Sequence, residues 1–181
     1  MKTKALLLLL LGVLATTGST CINDGFLIAV NLPMSACFAV NPGPNLSYDG
    51  TVTIRLADQI DASYVEDIST VRYYDIRVST KGTYAGSIVG GLGKINNIDL
   101  VKYAGQWSDF ATPQSLLQNS SLIQTQPAGL NELVRVLNQF KTDPNTTVFL
   151  RGTGTLTGQS PVPAGLSVCI EILAQVDVKV Q

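Results

Sequence analysis

The chain contains no histidine. That removes the usual general base of serine and cysteine hydrolases and the commonest side-chain ligand of zinc and haem. A serine–lysine or paired-carboxylate mechanism is still chemically available, so the enzyme reading is weakened and not closed. Charge is scarce as well. Asp, Glu, Lys and Arg make up 14% of the residues, and there is no basic run to neutralise phosphates, which argues against a nucleic-acid partner. The three cysteines, Cys21, Cys37 and Cys169, have spacings that fit no zinc motif. Beyond the first twenty residues, no apolar run approaches the roughly 20 residues that a membrane-spanning helix needs.

The chain opens with a three-part leader. Lys2 and Lys4 are followed by an apolar run from Ala5 to Ala15, broken by Gly12, and then by small residues from Thr16 to Thr20. This layout predicts a signal peptide over residues 1–20 and a mature single domain over 21–181. Cleavage takes Lys2 and Lys4 from the 12 basic residues, leaving 10 against 13 acidic ones and a net charge of −3. About 160 residues suffice to bury a core without disulfide staples. The stretch Gly18-Ser19-Thr20-Cys21 resembles a bacterial lipoprotein cleavage box, with Gly18 in place of a leucine-like residue and Thr20 larger than usual. That resemblance implies a lipid on Cys21 as the one route to a membrane, and leaves Cys37 and Cys169 to pair. Without a lipid, Cys21 and Cys37 are the nearest pair in sequence. The expected location is the periplasm, outer envelope or extracellular space.

The strongest structural signal lies at the C-terminal end. Leu166, Val168, Ile170, Ile172, Ala174, Val176, Val178 and Val180 are all apolar, while the positions between them include Ser167, Glu171, Gln175, Asp177 and Lys179. Side chains alternate faces along a strand, so this pattern predicts one long strand with a single buried face. At ~3.3 Å per residue it would run about 45 Å, and a bend near Leu173 and Ala174 would let it serve two sheets. Thr147–Thr157 reads as its antiparallel partner, with Gly152 and Gly154 marking a bulge or a close backbone approach. Further strands are expected over Phe26–Leu32, Ala36–Val40, Val52–Leu56, Val71–Thr80, Thr83–Leu92 and Ile98–Tyr103. One amphipathic helix is expected over 128–140, from Leu130, Leu133, Val134, Leu137 and Phe140, with Pro127 in its first turn. The fold class is therefore a mainly β, antiparallel sandwich, immunoglobulin-like or jelly-roll-like, with one short helix capping an open end.

Candidate chemistry is thin. Gly86–Ile95 lacks the early glycine and the final Ser or Thr of a phosphate loop, and Gly152–Gly158 is misspaced for a dinucleotide loop. Both read as strand and turn glycines. Asp58, Asp61, Glu66 and Asp67 are the densest acidic group and the candidate metal or carboxylate-hydrolase site, although they lack the alternating spacing of a calcium loop. Tyr103, Trp107 and Phe110 are the candidate binding residues, with Trp107 in a segment that reads as irregular and exposed. No cofactor is called for.

As a pattern of strands, the mature chain is similar to the small exported β-sandwich proteins of bacterial envelopes, many of them lipoproteins. The leading expectation is a non-enzymatic protein working by contact, through edge strands and the 104–126 connection, on a protein or surface-glycan partner. The alternative is a binder of apolar or carbohydrate ligands, with a pocket between the sheets under the helix.

Overall fold

The structure is a computed structural model that describes residues 26–42, 44, 46–60 and 68–180. The leader and Cys21 lie outside the described residues. Nine strands occur among them: β1 (Phe26–Ala39), β2 (Ser47–Arg55), β3 (Ile68–Lys81), β4 (Gly86–Ile95), β5 (Ile98–Gln106), β6 (Gln114–Ser115), β7 (Ile123–Thr125), β8 (Thr147–Gly158) and β9 (Ser167–Val180). A helix, α1 (Pro127–Phe140), stands between β7 and β8. One sheet has the order β1-β9-β3-β6 and the other β2-β8-β4-β5-β7.

This order decides between the two sandwich types. β1 pairs with β9, β2 with β8, β3 with β6 and β4 with β5, every pair antiparallel and successive pairs falling in alternate sheets. The chain is thus a long antiparallel ribbon rolled up on itself, which is a jelly roll.

β9 is the centre of its sheet, as its alternation demands. Val168, Ile170, Ile172, Ala174, Val176 and Val178 are all buried in the core between the sheets. Two details differ from expectation. β9 does not bend between sheets: it pairs with β1 in unbroken register from Phe26↔Val180 to Ala39↔Ser167. The irregularities fall instead in β3, at Ile68/Thr70 and Tyr73/Asp75. A bulge in β9 would break ladders on both its flanks, whereas β3 at those positions is paired on one side only. β8 is also not the partner of β9. Its neighbours are β2 and β4, because the connection holding Pro161 and Pro163 cannot form a tight hairpin turn and crosses to the other sheet.

Phe26–Leu32 and Ala36–Val40 merge into the single strand β1, which runs straight through Pro33. An edge strand tolerates proline when the missing N–H would face solvent. Gly152 and Gly154 do mark close packing, but of aromatic rings: a Cβ on Gly152 would lie 2.2 Å from the Phe38 ring.

Helix α1 closes the side of the sandwich against β5, β3 and β4. Its buried face is Gly129, Leu133, Val136, Leu137 and Phe140, while Val134, expected on that face, is exposed. Gly129 is required because its Cα sits against the backbone of Asp99 and Leu100. These side chains pack into the core under the helix, and the cleft described below lies along β4, β5 and β7 instead of there.

The helix is also clamped to the β4–β5 hairpin. That hairpin turns on Asn96 and Asn97, both at positive φ (47° and 68°), which is the two-residue turn that matches strand twist. Asn96 donates from Nδ2 to Glu132 (2.7 Å), and Arg135 donates to the same carboxylate (2.7 Å). The Arg135 guanidinium first, and Asn96 after it, hold the Glu132 carboxyl down at about 2 against an ordinary 4.5. A depressed carboxyl stabilises the fold fully above its ordinary value and loses that contribution as pH falls toward 2. We expect Glu132→Gln to be less stable than the parent at pH 6 and to approach it near pH 2. Because Arg135 is half in solvent, screening keeps the difference to about 1 kcal/mol or less. Urea midpoints of both proteins across that range check this, and a gap that stays constant with pH refutes it.

Candidate functional site

The expected binding aromatics are part of the core. Trp107 is 2% exposed, Tyr103 2% and Phe110 0%. A 3₁₀ turn over Trp107–Phe110 follows β5 directly, with the Gln106 N–H held by the Asp109 carboxylate (2.9 Å). Side chains three apart in such a turn share one side, and here that side is the interior. The Trp107 indole N–H donates to the Gly82 carbonyl (2.9 Å), and its ring meets Tyr84 edge-on at 5.7 Å. Tyr103 packs edge-on against Phe110, and its buried hydroxyl accepts from the Tyr48 hydroxyl (2.8 Å). The exposure expected for Trp107 is thereby corrected.

Of the acidic group, Asp61, Glu66 and Asp67 lie outside the described residues. Asp58 is exposed and sits 3.6 Å from Arg55. Cys37 and Cys169 form a disulfide across 132 residues. They stand directly opposite one another in the β1/β9 register, and this geometry overturns the sequence-nearest pairing of Cys21 with Cys37.

Sequence reasoning missed a buried polar node. Asp75, with a fully buried side chain, accepts from the Ser115 hydroxyl (2.8 Å) and from Arg77 Nε (2.8 Å). It pins β6, and with it the 104–126 connection, onto β3. Nothing in the β-prone run Val71–Thr80 singles out Asp75: the β3 bulge sets it on the outer face of the sheet, and its burial comes from the connection that lays Ser115 over it. The expected contact connection is thus anchored inward at Trp107, Phe110, Ser115 and Ile123, while twelve of its 23 residues are exposed, Leu117 being the large apolar one.

Two surface features are left free. The first is the outer edge of β1. The Val40 N–H donates to Leu166 O (3.0 Å). In an antiparallel ladder, alternate residues bond the same neighbour, so the even-numbered residues of β1 bond β9. The main-chain groups of Leu27, Ala29, Asn31, Ser35, Cys37 and Ala39 then face the open edge, and Pro33 offers only its carbonyl there. No charged residue occurs between Phe26 and Tyr48. The other edges are β6 and β7, of two and three residues, the part of β3 before Arg77, which carries Arg72 in an ion pair with Asp177, and β2, which carries Asp49 in an ion pair with Arg151 (2.6 Å).

The second feature is a cleft of about 330 Å³ along β4, β5 and the approach to β7. β4 is irregular here in both its ladders, between Ile88 and Gly91 against β5 and between Val89 and Leu92 against β8. Gly90 falls in both skipped stretches and adopts φ +61°. The cleft is lined by Gly90, Gly91 and Ala104, with Leu92, Leu122, Lys102, Ser121 and Gln124 among the rest.

No family model and no curated protein matches the chain. Among solved structures it is similar to a chain from Desmodium yellow mottle tymovirus, at 11% identity and a TM-score of 0.35, over 86% of this chain and 90% of that one. A likeness at that level leaves the jelly-roll assignment resting on strand order and register.

Proposed function

We propose that this is an exported, non-enzymatic protein that works by contact at the cell surface, in adhesion, assembly or a structural role, with the open edge of β1 as its contact strand. One observation carries the reading: a 14-residue edge strand offers alternate main-chain donors and acceptors, without a charge to repel an incoming strand. The Cys37–Cys169 disulfide supports an oxidising compartment. The net charge, −1 for the whole chain and −3 without residues 1–20, and the lack of a basic run speak for a partner other than nucleic acid.

Asn31→Pro and Ser35→Pro test this directly. Each removes an N–H that faces the open edge, so neither breaks a bond to β9. Each variant should keep its thermal midpoint within a few degrees while losing about tenfold in contact, on the scale of one or two lost main-chain hydrogen bonds. Contact is read as self-association by sedimentation velocity and as retention of the purified protein on host envelope. If both variants associate and adhere like the parent, the β1 edge is not the contact surface.

A further inference from the structure

We propose that the cleft over β4, β5 and β7 is a binding site for a carboxylate-bearing sugar, a hexuronate unit presented by a surface or matrix glycan. The site is independent of the β1 edge, since it lies across the other sheet, and either reading can fail alone.

The chemistry follows from what lines the cleft and what those groups lack. Lys102 is the one charged residue in the lining, and among the described residues no carboxylate lies within ion-pair distance of it. It stands opposite Gln124 in the β5/β7 register, so the ammonium and the carboxamide leave the sheet side by side. The side chains of Gln124 and Ser121 have no hydrogen-bond partner among the described residues. Gly90, unpaired in both ladders, adds a main-chain donor and acceptor, and a Cβ there would meet open space. A cation, an amide, a hydroxyl and a peptide group therefore share the lining of one cleft.

The remainder of the lining is apolar or small. Leu92 and Leu122 offer a surface for the C–H face of a sugar ring, and the bulge at Gly90 gives the floor its depression. One lysine beside leucines suits a carboxylate better than a phosphate dianion, which draws arginine clusters or a nest of amides. The several unsatisfied polar groups suit hydroxyls and not a fatty tail. The cleft is more open than enclosed, which suits a unit within a longer glycan. At about 330 Å³ it falls at the small end of the range for ligand sites.

The test uses the mature protein with tri-galacturonate, maltotriose and tri-glutamate as probes, followed by amide chemical-shift mapping and calorimetry. Tri-galacturonate should shift the amides of Gly90, Lys102 and Gln124 and bind at least about tenfold more tightly than maltotriose, as a charge-assisted contact implies. Lys102→Met, an exposed substitution that leaves the core untouched, should lose that tenfold advantage. No shift at the cleft with millimolar uronate overturns the site. Equal binding of maltotriose, or undiminished binding by Lys102→Met, overturns the carboxylate. Binding of tri-glutamate as tight as that of the uronate overturns the sugar.

Discussion

Replacing Cys37 and Cys169 together by alanine is expected to cost about 3 to 5 kcal/mol of stability and roughly 10 °C in thermal midpoint. The bond closes a loop of 132 residues. The chain-entropy account puts the constraint such a loop places on the unfolded chain at about 5 kcal/mol. Cys37 is exposed on the outer face of β1 whereas Cys169 is buried, so the change reads the cross-link together with the packing of the Cys169 sulfur. The bond also fastens the first strand to the last one. β1 is an edge strand that contributes Leu32, Met34, Ala36 and Phe38 to the core, and without the link only its ladder to β9 and those side chains hold it. Urea unfolding of the oxidised parent and of the double variant measures the difference. A loss below about 1 kcal/mol, or two free thiols titrated in the native parent, refutes it.

Trp107→Ala should be nearly as costly, at about 3 to 5 kcal/mol, the range for truncating a large buried aromatic. Trp107 is among the largest fully enclosed side chains, and its removal also leaves the Gly82 carbonyl without its donor. Trp107→Phe keeps a ring beside Tyr84 but not the N–H, and should cost less. An exposed contact residue would behave differently, since truncation at the surface usually stays within about 0.5 kcal/mol. Denaturant midpoints of the two variants therefore separate a core tryptophan from a binding one. Stability unchanged in Trp107→Ala would return the residue to the surface and reopen its role in recognition.

The same tryptophan shows where sequence reading loses its grip. The segment Ala104–Phe110 has no alternation, and a window without periodicity reads as loop and hence as surface. What turns it inward is a capped 3₁₀ turn between Gln106 and Asp109, a local device whose pattern is too short to stand out. The Asn96-Asn97 turn was a readable signal by contrast, since paired asparagines tolerate positive φ. The expected strand nevertheless stops at Leu92 where β4 runs on to Ile95, while the start of β5 at Ile98 is as expected. For the helix, the three-four spacing marked the element over 128–140 correctly. It put Val134 on the buried face because flanking positions of an apolar stripe are ambiguous until the neighbouring sheets are in place.

The linear order of residues was enough to determine that the chain is a β-sandwich with a long, one-faced final strand and one amphipathic helix. Those properties depend on side-chain periodicity, which acts over a few residues and is written into the chain itself. Tertiary structure alone decided that β9 lies between β1 and β3, that Cys37 meets Cys169, that Asp75 is buried and that a cleft opens at Gly90. Each of these is a meeting of segments far apart in sequence. Their partners are selected when two sheets close over a shared core, and alternation along a single strand is indifferent to which strand lies beside it.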